Sequence, residues 1–136
     1  MHPRRRCVVI GPYALTVRGF AELRRLRHEL AAWMAQLGAD ETVTSELVLA
    51  VTEVTTNAIE ASPAGEAQVQ AETAAGAVRV VVLNEGPDFR GWTPLRAGGV
   101  LSERGRGLGL AAELTDSLEF DHADGRTEAI VTKRYA

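Results

Sequence analysis

The chain has a single cysteine, Cys7, so an intrachain disulfide is excluded. One thiol fits a reducing compartment, and a cytoplasmic location is the expectation. Its three histidines (His2, His28 and His122) are scattered. With one cysteine they are too few for a zinc site. Aromatic residues make up only 5% of the 136 residues, so any core must be built from Val, Leu, Ile and Ala. There is no excess of positive charge: 15 Lys and Arg stand against 18 Asp and Glu, a net −3. That argues against nucleic acid as a direct partner, because a phosphate backbone is bound by surplus cations. No apolar run approaches the roughly 20 residues that span a bilayer. Arg4–Arg6 precede only a short apolar run, Val8–Ile10, and then Gly11-Pro12. This is too short for a signal-peptide core, so residues 1–6 read as a flexible basic arm.

What is present is the composition of a globular domain, 46% hydrophobic and 24% charged. The length suits one domain over residues 1–136. Cys7–Ile10 reads as a first strand. Thr16 reads as a helix cap, followed by Val17, Phe20, Leu23, Leu26, Leu30, Trp33 or Met34, and Leu37 at helical spacing, with Gly38 closing. Arg18, Arg24, Arg25 and Arg27 lie outside that stripe. They are a solvated face or a docking surface for an acidic partner. Asp40 caps a second helix, whose stripe is Val43, Leu47, Ala50, Val51, Val54 and Ala58, ending at Ser62-Pro63.

Ala67–Thr73 and Val78–Leu83 predict a hairpin. Glycine and proline crowd residues 85–104, a long loop of the functional kind. Leu108–Leu114 reads as a third helix, and Ser117–His122 with Glu128–Tyr135 as a last hairpin turning at Asp124-Gly125. The fold class predicted is α+β: a two-layer sandwich, its sheet mixed but mostly antiparallel, with helices on one face.

Three places could carry chemistry. Glu53 and Asn57, four apart, share one side of the second helix at the border of its stripe. They could be a base and an Mg²⁺ ligand, or simply a polar helix edge. Glu46 lies two turns earlier on nearly the same line. Gly105, Gly107 and Gly109 alternate with Arg106, Leu108 and Leu110, after Arg104. Glycines there would let backbone approach a phosphate, and a helix starting inside the run would aim its N–H groups at it. The run is neither a Walker A motif nor a dinucleotide fingerprint. Asn84-Glu85-Gly86-Pro87-Asp88 ends the most apolar strand, a place to hold a ligand or merely to turn.

In this order, the three resemble the N, G1 and G2 boxes of the GHKL ATPase superfamily. Glu46-Leu-Val-Leu-Ala-Val-Thr-Glu53-Val-Thr-Thr-Asn57-Ala58 is similar to the N box of anti-sigma factor serine kinases. Arg104-Gly-Arg-Gly-Leu-Gly-Leu110 resembles their second glycine box, and Gly125-Arg126-Thr127 their final glycine–threonine element. The resemblance runs from about Pro12 to Tyr135. It implies an ATP-binding serine/threonine kinase with ATP and Mg²⁺ as ligands. Glu53 would be the general base and Asn57 the Mg²⁺ ligand. Asn84, with Gly86, would stand at the adenine position, and Thr127 beside it. Arg104 to Leu110 would wrap the phosphates, and residues 85–104 would form the ATP lid. The implied partners are a STAS-type anti-sigma antagonist, phosphorylated on serine or threonine, and a sequestered sigma factor. A homodimer through the N-terminal strand and the nearby helix or sheet surface is also implied. The alternatives are a non-catalytic regulator of the same fold with a weakened site, and an ATPase module whose partner is not a sigma factor. Three positions depart from the pattern. Asn84 replaces the usual aspartate, Asp88 the second glycine, and Ala61 a histidine found in many serine kinases.

Overall fold

A computed structural model gives the architecture. It describes residues 10–86 and 103–136, with side chains in the second stretch from residue 107 onward. Strand β1 is Tyr13–Arg18, and a short 3-10 turn, Phe20–Glu22, leads into helix α1, Leu23–Gln36. Helix α2 is Glu41–Ala61. Strands β2, Glu66–Ala74, and β3, Ala77–Glu85, form the first hairpin. Helix α3, Glu103–Leu114, precedes the second hairpin of β4, Ser117–Ala123, and β5, Arg126–Arg134. The sheet order is β1-β2-β3-β5-β4, and every pairing in it is antiparallel. Two-residue turns close both hairpins. Ala75 and Gly76 have φ of 52° and 79°, and Asp124 and Gly125 of 55° and 74°, as a turn matched to strand twist requires.

Alternation decides which face of the sheet is covered. Val69, Ala71, Val80, Val82, Ala129 and Val131 are buried, and the register sets them side by side. Gln68, Gln70, Glu72, Arg79 and Glu128 between them face outward. The helices lie over the buried face. Leu26, Leu30 and Met34 of α1, Leu47, Val51 and Val54 of α2, and Leu108 and Ala111 of α3 join the same core. The result is the expected two-layer α+β sandwich. Among the described residues, no helix is long and apolar enough to cross a membrane.

Helix α2 is the centre of this layer, touching α1, α3, β2, β3 and β5. Asp40 Oδ1 accepts from the Val43 amide at 2.8 Å and fixes its start. Pro63 prevents continuation, and Ser62 leaves the helix with extended backbone.

The start of the chain differs from the sequence expectation. Thr16 does not cap a helix; it lies within β1, and Val17 is buried there as a strand residue. Ile10 belongs to no strand, and Cys7–Val9 lie outside the described residues. Val17 fits both helical spacing with Phe20, three residues on, and a period of 2 with Tyr13 and Leu15. Pairing with β2, Val17 opposite Ala67, favours the second. Phe20, assigned to the helical stripe, is 54% exposed. Side chains then fasten β1 to α1. Tyr13 donates its hydroxyl to Glu29 at 3.1 Å, and the Trp33 indole donates to the Gly11 carbonyl at 2.9 Å. Burial and the neighbouring Glu29 carboxylate push the Tyr13 phenol well above its ordinary pKa, so it stays a donor.

Leu47 is fully buried where α2 enters the core. Leu47→Ala should lower unfolding free energy by about 2–5 kcal/mol, read by urea denaturation. A loss under about 1 kcal/mol would show that α2 is not central.

Candidate functional site

Residues singled out in the sequence converge on the C-terminal half of α2. Glu53 and Asn57 lie on one side of it, facing α3. Glu53 is half-buried, whereas Asn57 is only 2% exposed, deeper than its place on the stripe's border suggests. Asn57 Nδ2 donates to the Glu53 carbonyl at 2.9 Å, which fixes which end of the amide is which. Its Oδ1 is buried and has no hydrogen-bond partner.

One residue further on, the Ala58 carbonyl accepts from two donors. The Ser62 amide reaches it at 3.0 Å and Asn84 Nδ2, from the end of β3, at 3.3 Å. Asn84 is also 2% exposed, and its Oδ1 too is buried without a partner. Thr127 is the cross-strand partner of Asn84 and is fully buried. Among the described residues, the buried side-chain atoms lacking partners are these two amide oxygens and Thr55 Oγ1. An unsatisfied buried acceptor costs on the order of 1–3 kcal/mol. One of these amide oxygens is on α2 and the other on the strand end packed against it, and each is an acceptor with its hydrogen-bonding capacity unused. Asn57 Oδ1 is a hard oxygen donor of the kind Mg²⁺ takes. Asn84 Oδ1 suits an amino group.

The two glycines nearest these residues are sites of close approach. A Cβ at Gly107 would lie 2.6 Å from Glu53 Oε2 and 3.6 Å from Asn57 Nδ2. Gly86 has φ of +146°, and a Cβ there would meet Pro63 Cδ at 2.8 Å and the Ala61 carbonyl at 3.0 Å. Its amide donates to the Gly125 carbonyl at 2.7 Å, which ties the end of β3 to the β4–β5 turn.

The glycine run itself differs from expectation. The helix does not begin inside it; α3 starts at Glu103, so Gly105, Gly107 and Gly109 are all helical. Leu108 faces the core, while Gly109 and Leu110 are exposed. The side chains of Arg104 and Arg106 lie outside the described residues, as do Asp88 and most of the expected lid over 85–104. Glu85 itself ends β3. Glu46 turns away from ligand duty. It pairs with Lys133 at 3.6 Å, and Lys133 Nζ also donates to the Leu114 carbonyl at 2.6 Å. That lysine thereby satisfies the C-terminal end of α3.

One residue at the site was passed over in the sequence. His122 Nδ1 lies 2.7 Å from Thr127 Oγ1. The signal was available, because a two-residue turn at Asp124-Gly125 sets residue 122 opposite residue 127.

The geometry separates the two glycines. Gly86→Ala meets backbone and a proline ring with a positive φ, so it should cost about 1–3 kcal/mol of stability in a denaturant titration. Gly107→Ala meets only the end of a flexible carboxylate, and alanine favours a helix by about 1 kcal/mol over glycine. It should leave stability within about 1 kcal/mol while displacing Glu53. The reverse order of the two costs would contradict this site geometry. If Asn84 stands at the adenine position that the resemblance implies, an aspartate there would be expected to strengthen the bond to the base. Here Asn84→Asp sets a carboxylate oxygen against the Ala58 carbonyl, and about 1–2 kcal/mol of stability should be lost without tighter ATP binding. Tighter binding at unchanged stability would contradict this.

The comparisons with known proteins bear on the fold. The RsbU and RsbW domains of Rv1364c from Mycobacterium tuberculosis superpose with a TM-score of 0.70 at 26% identity. The match covers 91% of this chain, but this chain spans only 32% of that one. A chain of the SiaB–SiaC complex from Pseudomonas aeruginosa shares the fold at 13% identity, with a TM-score of 0.55. That match covers 89% of this chain and 88% of the other. Residues 20–133 match the histidine kinase-like ATPase domain, and the chain belongs to that family.

Proposed function

We propose that the chain is an ATP-binding regulatory serine/threonine kinase of the anti-sigma type, working as a single domain and as a homodimer. The observation that carries the nucleotide part is the pair of buried, partnerless oxygens, Asn57 Oδ1 and Asn84 Oδ1. Asn84 Oδ1 would accept from the adenine amino group, with Gly86 and Thr127 beside it. Asn57 Oδ1 would hold Mg²⁺, which when bound supplies screening of the phosphate charge. Arg104 and the Gly105–Leu110 stretch would line the phosphates. The Glu53 carboxylate would take the proton from a serine or threonine hydroxyl on a STAS-type antagonist. Positioning of this kind is most of what phosphoryl transfer asks of a protein. The partner class, and with it sequestration of a sigma factor, comes from the resemblance of the three boxes to anti-sigma factor kinases; the similarity to a structure containing an RsbW domain is in keeping with it.

A second reading, partner binding without phosphoryl transfer, is favoured by one contact. The Glu53 carboxylate is lodged against the Gly107 backbone of α3, so it must be released before it can act as a base.

Calorimetry with ATP and Mg²⁺ should give a micromolar Kd, about −8 kcal/mol. Asn57→Ala should weaken that affinity at least about tenfold and abolish its dependence on Mg²⁺. Glu53→Ala should keep ATP binding and lose transfer of labelled phosphate to a STAS-type protein. No binding at millimolar ATP would overturn the nucleotide reading. Binding without transfer in the wild-type chain would establish the second reading instead.

A further inference from the structure

Helix α3 meets α2 at two marked places. At one, Gly107 lies on the Glu53 carboxylate. At the other, Lys133 of β5 reaches between the helices. Its ammonium donates to the Leu114 carbonyl at 2.6 Å and stands 3.6 Å from Glu46 Oε1. These pairings make the two helices antiparallel, and on each helix about two turns, or about 10 Å, separate the two places. The Lys133 side chain is only 12% exposed. An ammonium that deep needs matched donors and a balancing charge, and here the carbonyl and the Glu46 carboxylate provide them. Thr115 Oγ1 already donates to the Ala111 carbonyl at 2.7 Å, a cap made within α3's own last turn. What Lys133 adds is a tie to a second helix.

We infer that Lys133 is a positioning residue: with Glu46 it fixes the register of α3 on α2, and thereby the place of the Glu53 carboxylate. Its meaning for phosphoryl transfer rests on the reading of Glu53 as the base given above. Register matters because of what a side chain does at the Gly107 contact. A Cβ there would stand 2.6 Å from Glu53 Oε2, so the residue of α3 that lies over Glu53 either lacks a side chain or displaces the carboxylate. One turn from Gly107 stand Glu103 and Arg104 in one direction and Leu110 and Ala111 in the other, and none is glycine. A slip of α3 by one turn therefore sets a side chain on Glu53. Among the described side chains of α3, Leu108 and Ala111 are the buried ones, and apolar packing is not directional. The Lys133 tie is directional, because it sets one residue, Leu114, level with Glu46. Lys133 reaches Glu53 only through α3.

The test combines calorimetry with ATP and Mg²⁺ and the carbon chemical shift of the Glu53 carboxyl in the nucleotide-free protein. The shift is recorded in high salt, which screens the change of charge at residue 133. Lys133→Met keeps the stem and removes the ammonium. It should move the Glu53 signal and weaken ATP affinity at least about fivefold. Lys133→Arg keeps donors and charge, and should bring the affinity back to within about twofold and the Glu53 signal toward its wild-type position. In the Gly107→Ala background, where Glu53 is already displaced, Lys133→Met should change affinity less than about twofold, although sites this far apart ordinarily add. Glu46→Ala loosens the same tie from its more exposed end and should move the Glu53 signal too. It carries the test if Lys133→Met does not fold. Wild type that binds ATP, with affinity and Glu53 signal unchanged in the variant, would overturn this inference alone. So would effects of Lys133→Met and Gly107→Ala that simply add. Wild type that binds no ATP would overturn the nucleotide reading, and the Glu53 signal then decides the positioning role by itself: a signal unmoved by the variant contradicts it.

Discussion

The end of β3 is held against the last turns of α2, and the site is built on that contact. Asn84 donates to the Ala58 carbonyl, which already receives the Ser62 amide that closes the helix. Two residues beyond Asn84, Gly86 packs on Ala61 and Pro63 with no room for a side chain. Helix and strand can come this close because the contact residues are small: Ala58, Ala61 and Gly86. The closeness also fixes what Asn84 can do. Its donor end is spent on the helix, so its acceptor end is left for something else.

A similar logic holds on the other side of α2. Asn57 spends its Nδ2 on the Glu53 carbonyl and leaves its oxygen buried and unmatched. Gly107 lets α3 lie directly on the Glu53 carboxylate. Three glycines in a twelve-residue helix lower its intrinsic stability by roughly 1 kcal/mol each relative to alanine. Lys133 compensates from the far end, holding the Leu114 carbonyl and Glu46 together. The helix over Glu53 is therefore tied at its C-terminal end and intrinsically poor at its glycine-rich end.

Much of this was legible before the fold was known. The α2 stripe, its Asp40 cap and its Pro63 stop are local signals, and both hairpins announced themselves by alternation and turn residues. Glu53, Asn57, Asn84 and Gly107 stand out by type and spacing, and Thr127 only through the family resemblance; the fold brings them to neighbouring elements. Two misreadings had local causes. Val17 satisfied two periodicities, and only pairing with β2 could choose between them. The start of α3 at Glu103 was hidden because glycine reads as loop wherever it occurs, although Gly107 is helical and contacts Glu53. The commitment of the Asn84 donor to Ala58 was not legible at all, since it joins residues 26 apart through tertiary packing. His122 lay between these cases, recoverable from the hairpin register but not from its residue type.

On the proposed reading, Asn84 Oδ1 receives the base of a nucleotide and Asn57 Oδ1 its metal. A crystal structure of the chain grown with Mg²⁺ and a non-hydrolysable ATP analogue tests it most directly. The adenine amino group is expected within hydrogen-bond distance of Asn84 Oδ1, and Mg²⁺ coordinated by Asn57 Oδ1. A nucleotide bound elsewhere, with both oxygens still unpartnered, would contradict it.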